Sequence, residues 1–205
     1  LGWPESPPSQ ITIYPESNPK RRNRLVIYDF DGTLFRSPDR EEGSILYHDA
    51  TGNYWPHQGW WGRIESLMPP VIPDPIPESL WIQEVVDRHR EDVKDENAFV
   101  VLMTGRPYKN RRRVREILDA QNILFHREYY RGMPGQKGRD TFDIKVNIME
   151  EELFHDGLKS VEIFEDRPEH LSAFMTKAKR WKSLMGKHLE KIIIRDVPNN
   201  AHYEF

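Results

Sequence analysis

Residues 25–35 read LVIYDFDGTLF. A short apolar run, LVIY, meets two aspartates separated by one phenylalanine, and Gly32 and Thr33 follow. Such a run predicts a strand buried on both faces, as in a parallel sheet. Ending it on paired charges demands a reason, because charge leaves water only at high cost.

The rest of the chain supplies the frame. AFVVLMT (98–104), ILFHREYY (123–130), VEIFED (161–166) and KIIIRDV (191–197) read as further strands. Helices are expected over 107–120, opened by Pro107, over 141–155, and from Pro168 to about Arg180. The helix over 141–155 carries Phe142, Val146, Met149 and Leu153 as its apolar stripe. An earlier helix is expected from about Glu78, with Ile82, Val85, Val86, His89 and Val93 on one face. This alternation implies an α/β fold of five mainly parallel strands with helices on both faces. In such sheets ligands gather at the carboxyl ends of the strands.

The 205 residues fit one domain with room for an insertion. Residues 1–24 read as a Pro-rich arm closed by the basic run KRRNR, and 25–205 as a single domain. Residues 37–77 show no clear period and hold many of the sixteen prolines, which predicts an irregular loop or small cap. Its aromatics Tyr47, Tyr54, Trp55, Trp60 and Trp61 read either as core of that cap or as a platform for stacking bases. The absence of cysteine excludes disulfides, thiolate metal sites and cysteine nucleophiles. No apolar run reaches the length of a membrane span. A chain that begins with Leu is expected of a processed or trimmed product. An intracellular setting is expected, with cytoplasm and organelle both open.

A net charge of −3 does not mark a nucleic-acid protein, yet KNRRRVRE (109–116) concentrates Lys109, Arg111, Arg112, Arg113 and Arg115. Most such runs are solvated helix faces. The alternative is a surface that steers RNA or another polyanion, joined by KRRNR, Lys137 and Arg139.

The predicted strand ends carry the chemistry. They present Asp29 and Asp31, then Thr104, Gly105 and Arg106, then Glu165, Asp166 and Arg167, with Lys145 expected in the first turn of its helix. This set suits hydrolytic phosphoryl transfer. Asp29 is the candidate nucleophile, since an acyl phosphate is readily hydrolysed afterwards. Asp31, two residues on and so on the same side of an extended chain, is the candidate general acid and base. Mg²⁺ would relieve the repulsion between carboxylate and phosphate, with Asp29 and Asp166 as ligands, Glu165 as ligand or support, and the Asp31 carbonyl as a further oxygen. Thr104 and Lys145 are expected on the phosphate oxygens. Gly32, Thr33, Gly105 and Arg106 are expected around the substrate, with Gly32 allowing a sharp turn. The bland readings are a helix cap for Thr104 and a surface lysine for Lys145, with Lys137 as its competitor. Arg106 would touch phosphate or pair with a carboxylate such as Glu165, and Arg167 has the same choice, with a structural ion pair the favoured reading.

DFDGTLF, a strand ending in TGR, a helix lysine and a strand ending in EDR resemble the haloacid dehalogenase (HAD) superfamily, over roughly 25–36 and 98–197. The second aspartate, Asp31, resembles its phosphatase branch. VLMTGRP, DTFDIK and IFEDRPEH are similar to the HAD domain of Swiss Army Knife RNA repair proteins, and TGR with the DR pair to polynucleotide kinase 3′-phosphatase domains. The resemblance implies a HAD-like, Rossmann-like fold and a Mg²⁺-dependent phosphomonoesterase working through an aspartyl-phosphate, its substrate either a nucleic-acid end such as an RNA or DNA 3′-phosphate or a small phosphate ester. The alternative is a HAD-fold module docked in a larger protein or ribonucleoprotein assembly, for which the arm and the basic helix are the motive.

Overall fold

LVIY forms the centre of the sheet. In the computed structural model, which describes residues 10–14, 18–186 and 188–205, strand β2 (Arg24–Tyr28) pairs in parallel with β3 (Ala98–Pro107) on one side and β5 (Ser160–Glu165) on the other. Parallel pairing continues from β3 to β4 (Arg127–Arg131) and from β5 to β6 (Lys191–Asp196). These are the five strands expected, but among the described residues the sheet has seven. Two short antiparallel strands, β1 (Ile11–Thr12) on β4 and β7 (Ala201–Glu204) on β6, close its edges in the order β1-β4-β3-β2-β5-β6-β7.

Alternation along each strand divides the core in two. Val26, Tyr28, Val100 and Leu102 face one side, where they meet Val85 and Val86 of α2 (Gln83–Asp92) and Val114, Ile117 and Leu118 of α3 (Arg111–Asp119). Leu25, Ile27, Phe99 and Val101 face the other, against Val146 and Ile148 of α4 (Thr141–Ile148) and Leu171, Phe174 and Trp181 of α5 (Pro168–Met185). The stripe expected over 141–155 is buried at Val146, Met149 and Leu153, but the helix widens into a π turn over Met149–Leu153.

The insertion is more regular than its sequence. It opens with a twelve-residue helix, α1 (Arg40–Thr51), capped by the Asp39 side chain on the Glu42 N–H and closed by Gly52 in the left-handed conformation. Trp60, Leu67, Val71 and Ile72 then join the core beside α2 and α3. The Trp60 indole donates to the Pro38 carbonyl (2.9 Å) and lies where a side chain on Gly43 of α1 would stand, so it anchors the helix to the sheet.

Of the arm, residues 1–9 and 15–17 lie outside the described residues. Ile11 and Thr12 pair with β4, and Arg22 donates to the Glu96 carbonyl (2.5 Å). Among the described residues no helix is long and apolar enough to cross a membrane.

Candidate active site

The parallel strands run the same way, so their carboxyl ends share one edge. There Asp29 follows β2, Thr104, Gly105 and Arg106 close β3, Glu165 closes β5 and Asp166 follows it. Lys145 approaches from α4, in its second turn rather than its first. Its ammonium is buried between Asp29 Oδ2 (2.8 Å) and Glu165 Oε2 (2.9 Å). Burial works against that charge, but the two carboxylates outweigh it and hold Lys145 protonated well above its ordinary range. Lys137 lies apart, paired on the surface with Glu151.

Glu165 is fully engaged. Its Oε2 also contacts His170 Nδ1 (3.1 Å), and its Oε1 accepts the N–H groups of Asp166 (3.2 Å) and Arg167 (3.3 Å). Burial pushes its carboxyl up, yet Lys145 and His170 bring it below the usual carboxylate range. Asp29 goes the other way. Burial raises it, the charges of Glu165 and Asp31 add to this, and Lys145 only partly compensates. Asp166 is raised too, by burial and by Asp29 and Glu165. Three acids crowd one ammonium, and one oxygen from each of Asp29, Glu165 and Asp166 lies within 4.8 Å of the others. An all-oxygen, negatively charged cluster of this kind can hold a hard divalent cation. Since Glu165 is committed to Lys145, His170 and two amides, Asp29 and Asp166 are the acids with most to gain from one.

Asp31 lies outside that cluster. Arg106 grips both of its oxygens, through Nε (3.1 and 2.8 Å) and Nη2 (2.7 Å), and Ser37 donates to the same carboxylate. The Arg106 side chain is wholly enclosed, and its Nη1 donates to Ser66 Oγ (2.7 Å) and the Trp61 carbonyl (3.2 Å). Its carboxylate partner is thus Asp31, not Glu165. Gly32, at φ +67°, lies against the Asp166 carboxylate, where any Cβ would overlap it.

A cavity of about 420 Å³ opens over these groups. Asp29, Asp31, Asp166, Gly105 and Arg106, all candidate site residues, line its floor and walls. Thr33 does not. It is completely buried, with its hydroxyl unpartnered, because the turn at Gly32 directs the chain back under the site. Thr104 and Lys145 lie behind the cavity wall instead of on it. Thr104 Oγ1 accepts the Arg106 N–H (3.1 Å), and because β3 runs on to Pro107 it caps no helix. Arg167 pairs with Glu169 (2.6 Å), and both line the cavity.

Trp61, Arg131, Thr141, Arg167 and Glu169 complete the lining; sequence reasoning offered Trp61 only among the aromatics of a possible stacking platform and missed Arg131, Thr141 and Glu169 as site residues. Arg131 had a signal, since it ends β4 at the same sheet edge. Trp61 had a partial one, in the aromatic insertion. Of the basic helix, Arg115 turns inward onto Glu128 and Asp119, and Arg113 donates to the Leu67 carbonyl (2.8 Å). That leaves Lys109, Arg111 and Arg112 facing outward.

A parallel sheet whose strand ends gather DxD, TGR, EDR and a buried lysine defines a HAD-type α/β domain. The model of HAD domain family 1 in Swiss Army Knife RNA repair proteins matches residues 49–203, and the chain belongs to that family. The matched span holds Thr104, Lys145, Glu165 and Asp166 but begins after Asp29 and Asp31. A chain in a solved structure titled "Structure of Pnkp1/Rnl/Hen1 complex" is similar at 17% identity and a TM-score of 0.48, covering 77% of this chain and 44% of that one. This chain therefore spans less than half the length of the one it matches.

Proposed function

We propose that this domain is a Mg²⁺-dependent phosphomonoesterase that acts through an aspartyl-phosphate on the phosphorylated end of a nucleic acid. The observation that carries the reading is Asp29, buried against Lys145 and Glu165 at the floor of a cavity whose wall holds Asp31. The substrate class follows from membership of a family named for RNA repair proteins.

Asp29 attacks phosphorus, and the bond from phosphorus to the leaving oxygen breaks as Asp31 delivers a proton to it. Asp31 then takes a proton from water, the water oxygen attacks phosphorus, and the bond to Asp29 breaks to release inorganic phosphate. Asp29 and Asp166 would hold Mg²⁺, which would supply charge neutralisation between nucleophile and phosphate. Lys145 acts through Asp29, offsetting part of the rise that burial imposes on its carboxyl and fixing its orientation. Arg106 and Ser37 fix Asp31 at the wall. A protonated Asp31 gives up one of those acceptor contacts, so donation to the leaving group is the harder half of its role. Esters with good leaving groups should therefore turn over fastest.

RNA beyond the scissile end would meet the outward-facing Lys109, Arg111 and Arg112. The reading of a docked structural module leaned on the N-terminal arm, and the described part of that arm pairs with its own domain at β4.

The test is phosphate release from p-nitrophenyl phosphate and from a 3′-phosphorylated oligoribonucleotide, with Mg²⁺ and with EDTA. Release is expected only with Mg²⁺, and Asp29→Asn should abolish it. Equal turnover by that variant would remove the mechanism.

A further inference from the structure

Adjacent tryptophans of the insertion have opposite fates. Trp60 is buried and holds α1 to the sheet, while Trp61 is 46% exposed and stands at the cavity that contains Asp29 and Asp31. Its position is set from below. The Arg106 side chain that grips Asp31 also donates to the Trp61 carbonyl, and its guanidinium lies under the indole, 5.1 Å from the ring centre. One arginine thus fixes both the candidate acid–base and an aromatic ring. One face of the ring rests on that cation, and among the described residues no other ring packs on Trp61.

Arg131 lines the same cavity, exposed at the end of β4 and without an ion-pair partner among the described residues. Its guanidinium comes within 4.0 Å of the place where a Cβ on Gly62 would stand. Gly62 is also the wall of a second, smaller cavity of about 170 Å³, lined further by Arg63 and Lys109. Glu65 shares that wall, 3.8 Å from His57. A path therefore leads from the acidic floor, over an aromatic face flanked by an unpaired cation, into a groove bearing two more cations.

A phosphate alone does not need this path. A cavity of about 420 Å³ falls in the range that holds small organic ligands. A flat half-exposed indole binds the face of any base, and cations spaced along a groove follow a phosphodiester backbone. We propose that Trp61 and Arg131 form the leaving-group subsite for the terminal nucleotide of a single-stranded polynucleotide, whose next phosphates follow the groove of Arg63 and Lys109. This deepens the phosphomonoesterase reading and rests on it only for which end enters the cavity. A duplex end does not fit the scheme, because its terminal base is stacked and paired already.

Binding tests the subsite apart from turnover. A fluorescently labelled single-stranded oligoribonucleotide ending in a 3′-hydroxyl is titrated with the protein, read by anisotropy. Trp61→Ala should weaken binding about tenfold or more, and Trp61→Phe should retain most of it. Lys109→Gln should flatten the log–log salt dependence by about 0.7. Arg131→Gln, at an exposed position where folding is not at stake, should weaken binding in the same direction. Equal affinity for wild type and Trp61→Ala, or a blunt duplex bound as well as the single strand, overturns the proposal. So does failure of the wild type to bind at low salt. Turnover is the second arm. Trp61→Ala should lower the ratio of kcat/KM for a 3′-phosphorylated oligonucleotide over that for glycerol phosphate about tenfold, and an unchanged ratio counts against the subsite. Binding as expected without phosphate release from any ester would retain the subsite and reject the hydrolase.

Discussion

Lys145 lets two acids share a buried corner. Its ammonium touches Asp29 and Glu165 at under 3 Å, and the side chain is 5% exposed. A buried pair of this kind adds little net stability, but removing one partner leaves the other charged and alone. Lys145→Met should therefore cost about 3–5 kcal/mol without metal. Since Mg²⁺ would meet one of the same carboxylates, Asp29, part of that loss should return when Mg²⁺ is added. Urea denaturation of wild type and variant, each with Mg²⁺ and with EDTA, measures both effects. If Mg²⁺ stabilises neither protein, the acidic cluster is not its site. Activity should fall about 10²-fold or more even with Mg²⁺ present, because Asp29 loses the fixed charge that orients it.

At the scale of elements, α1 shows how a helix can be set by its ends and a few close contacts, Gly43 on Trp60 and Tyr47 on Trp55. Its caps, Asp39 and Gly52, are plain in the sequence, but Ile45 and Leu46 point to solvent and only Gly43 is buried. No apolar stripe marks such a helix, which is why residues 37–77 read as irregular. Gly43→Leu would place a side chain inside the Trp60 ring and should lift α1 from the sheet, costing about 1–3 kcal/mol. Limited proteolysis should then cut faster between 40 and 60, while Ile45→Ser on the exposed side should change stability by about 0.5 kcal/mol or less. Equal protease resistance in Gly43→Leu would mean that the insertion holds without Trp60. The five parallel strands were legible because strands buried on both faces are written as continuous apolar runs. Their ends located Asp29, Asp31, Arg106 and Asp166. The edge strands β1 and β7 were not legible, being short and half polar. Nor was Arg106 on Asp31, since nothing local pairs residues 75 apart, nor Arg115, whose partner Glu128 arrives from β4.

The molecule as a whole carries a pH dependence written into the far side of its core. His89 on α2 is buried among Tyr28, Phe125 and His126, with Arg90 and Arg115 nearby, and its Nε2 donates to the Leu124 carbonyl (2.8 Å). His126 Nδ1 accepts the Val100 N–H (3.0 Å), which it can do only while unprotonated. Burial is the main cause that lowers each to about 4, with neighbouring cations adding to it. An unfolded histidine takes its proton near 6.5, so between 6.5 and 4 the unfolded chain binds more protons than the folded one. Stability from these two groups is complete above 6.5 and is lost as the pH falls towards 4. For the deeply enclosed His89 the loss is on the order of 3 kcal/mol. Asp29 and Asp166 act in the opposite sense, since their raised carboxyls take protons in the folded state first and so favour folding as the pH falls. The difference between wild type and His89→Leu isolates the histidine, because the acids are common to both. That difference should move by about 3 kcal/mol in favour of the variant between pH 7 and pH 4, followed by urea denaturation. A constant difference across that range would mean that His89 is not held neutral in the fold.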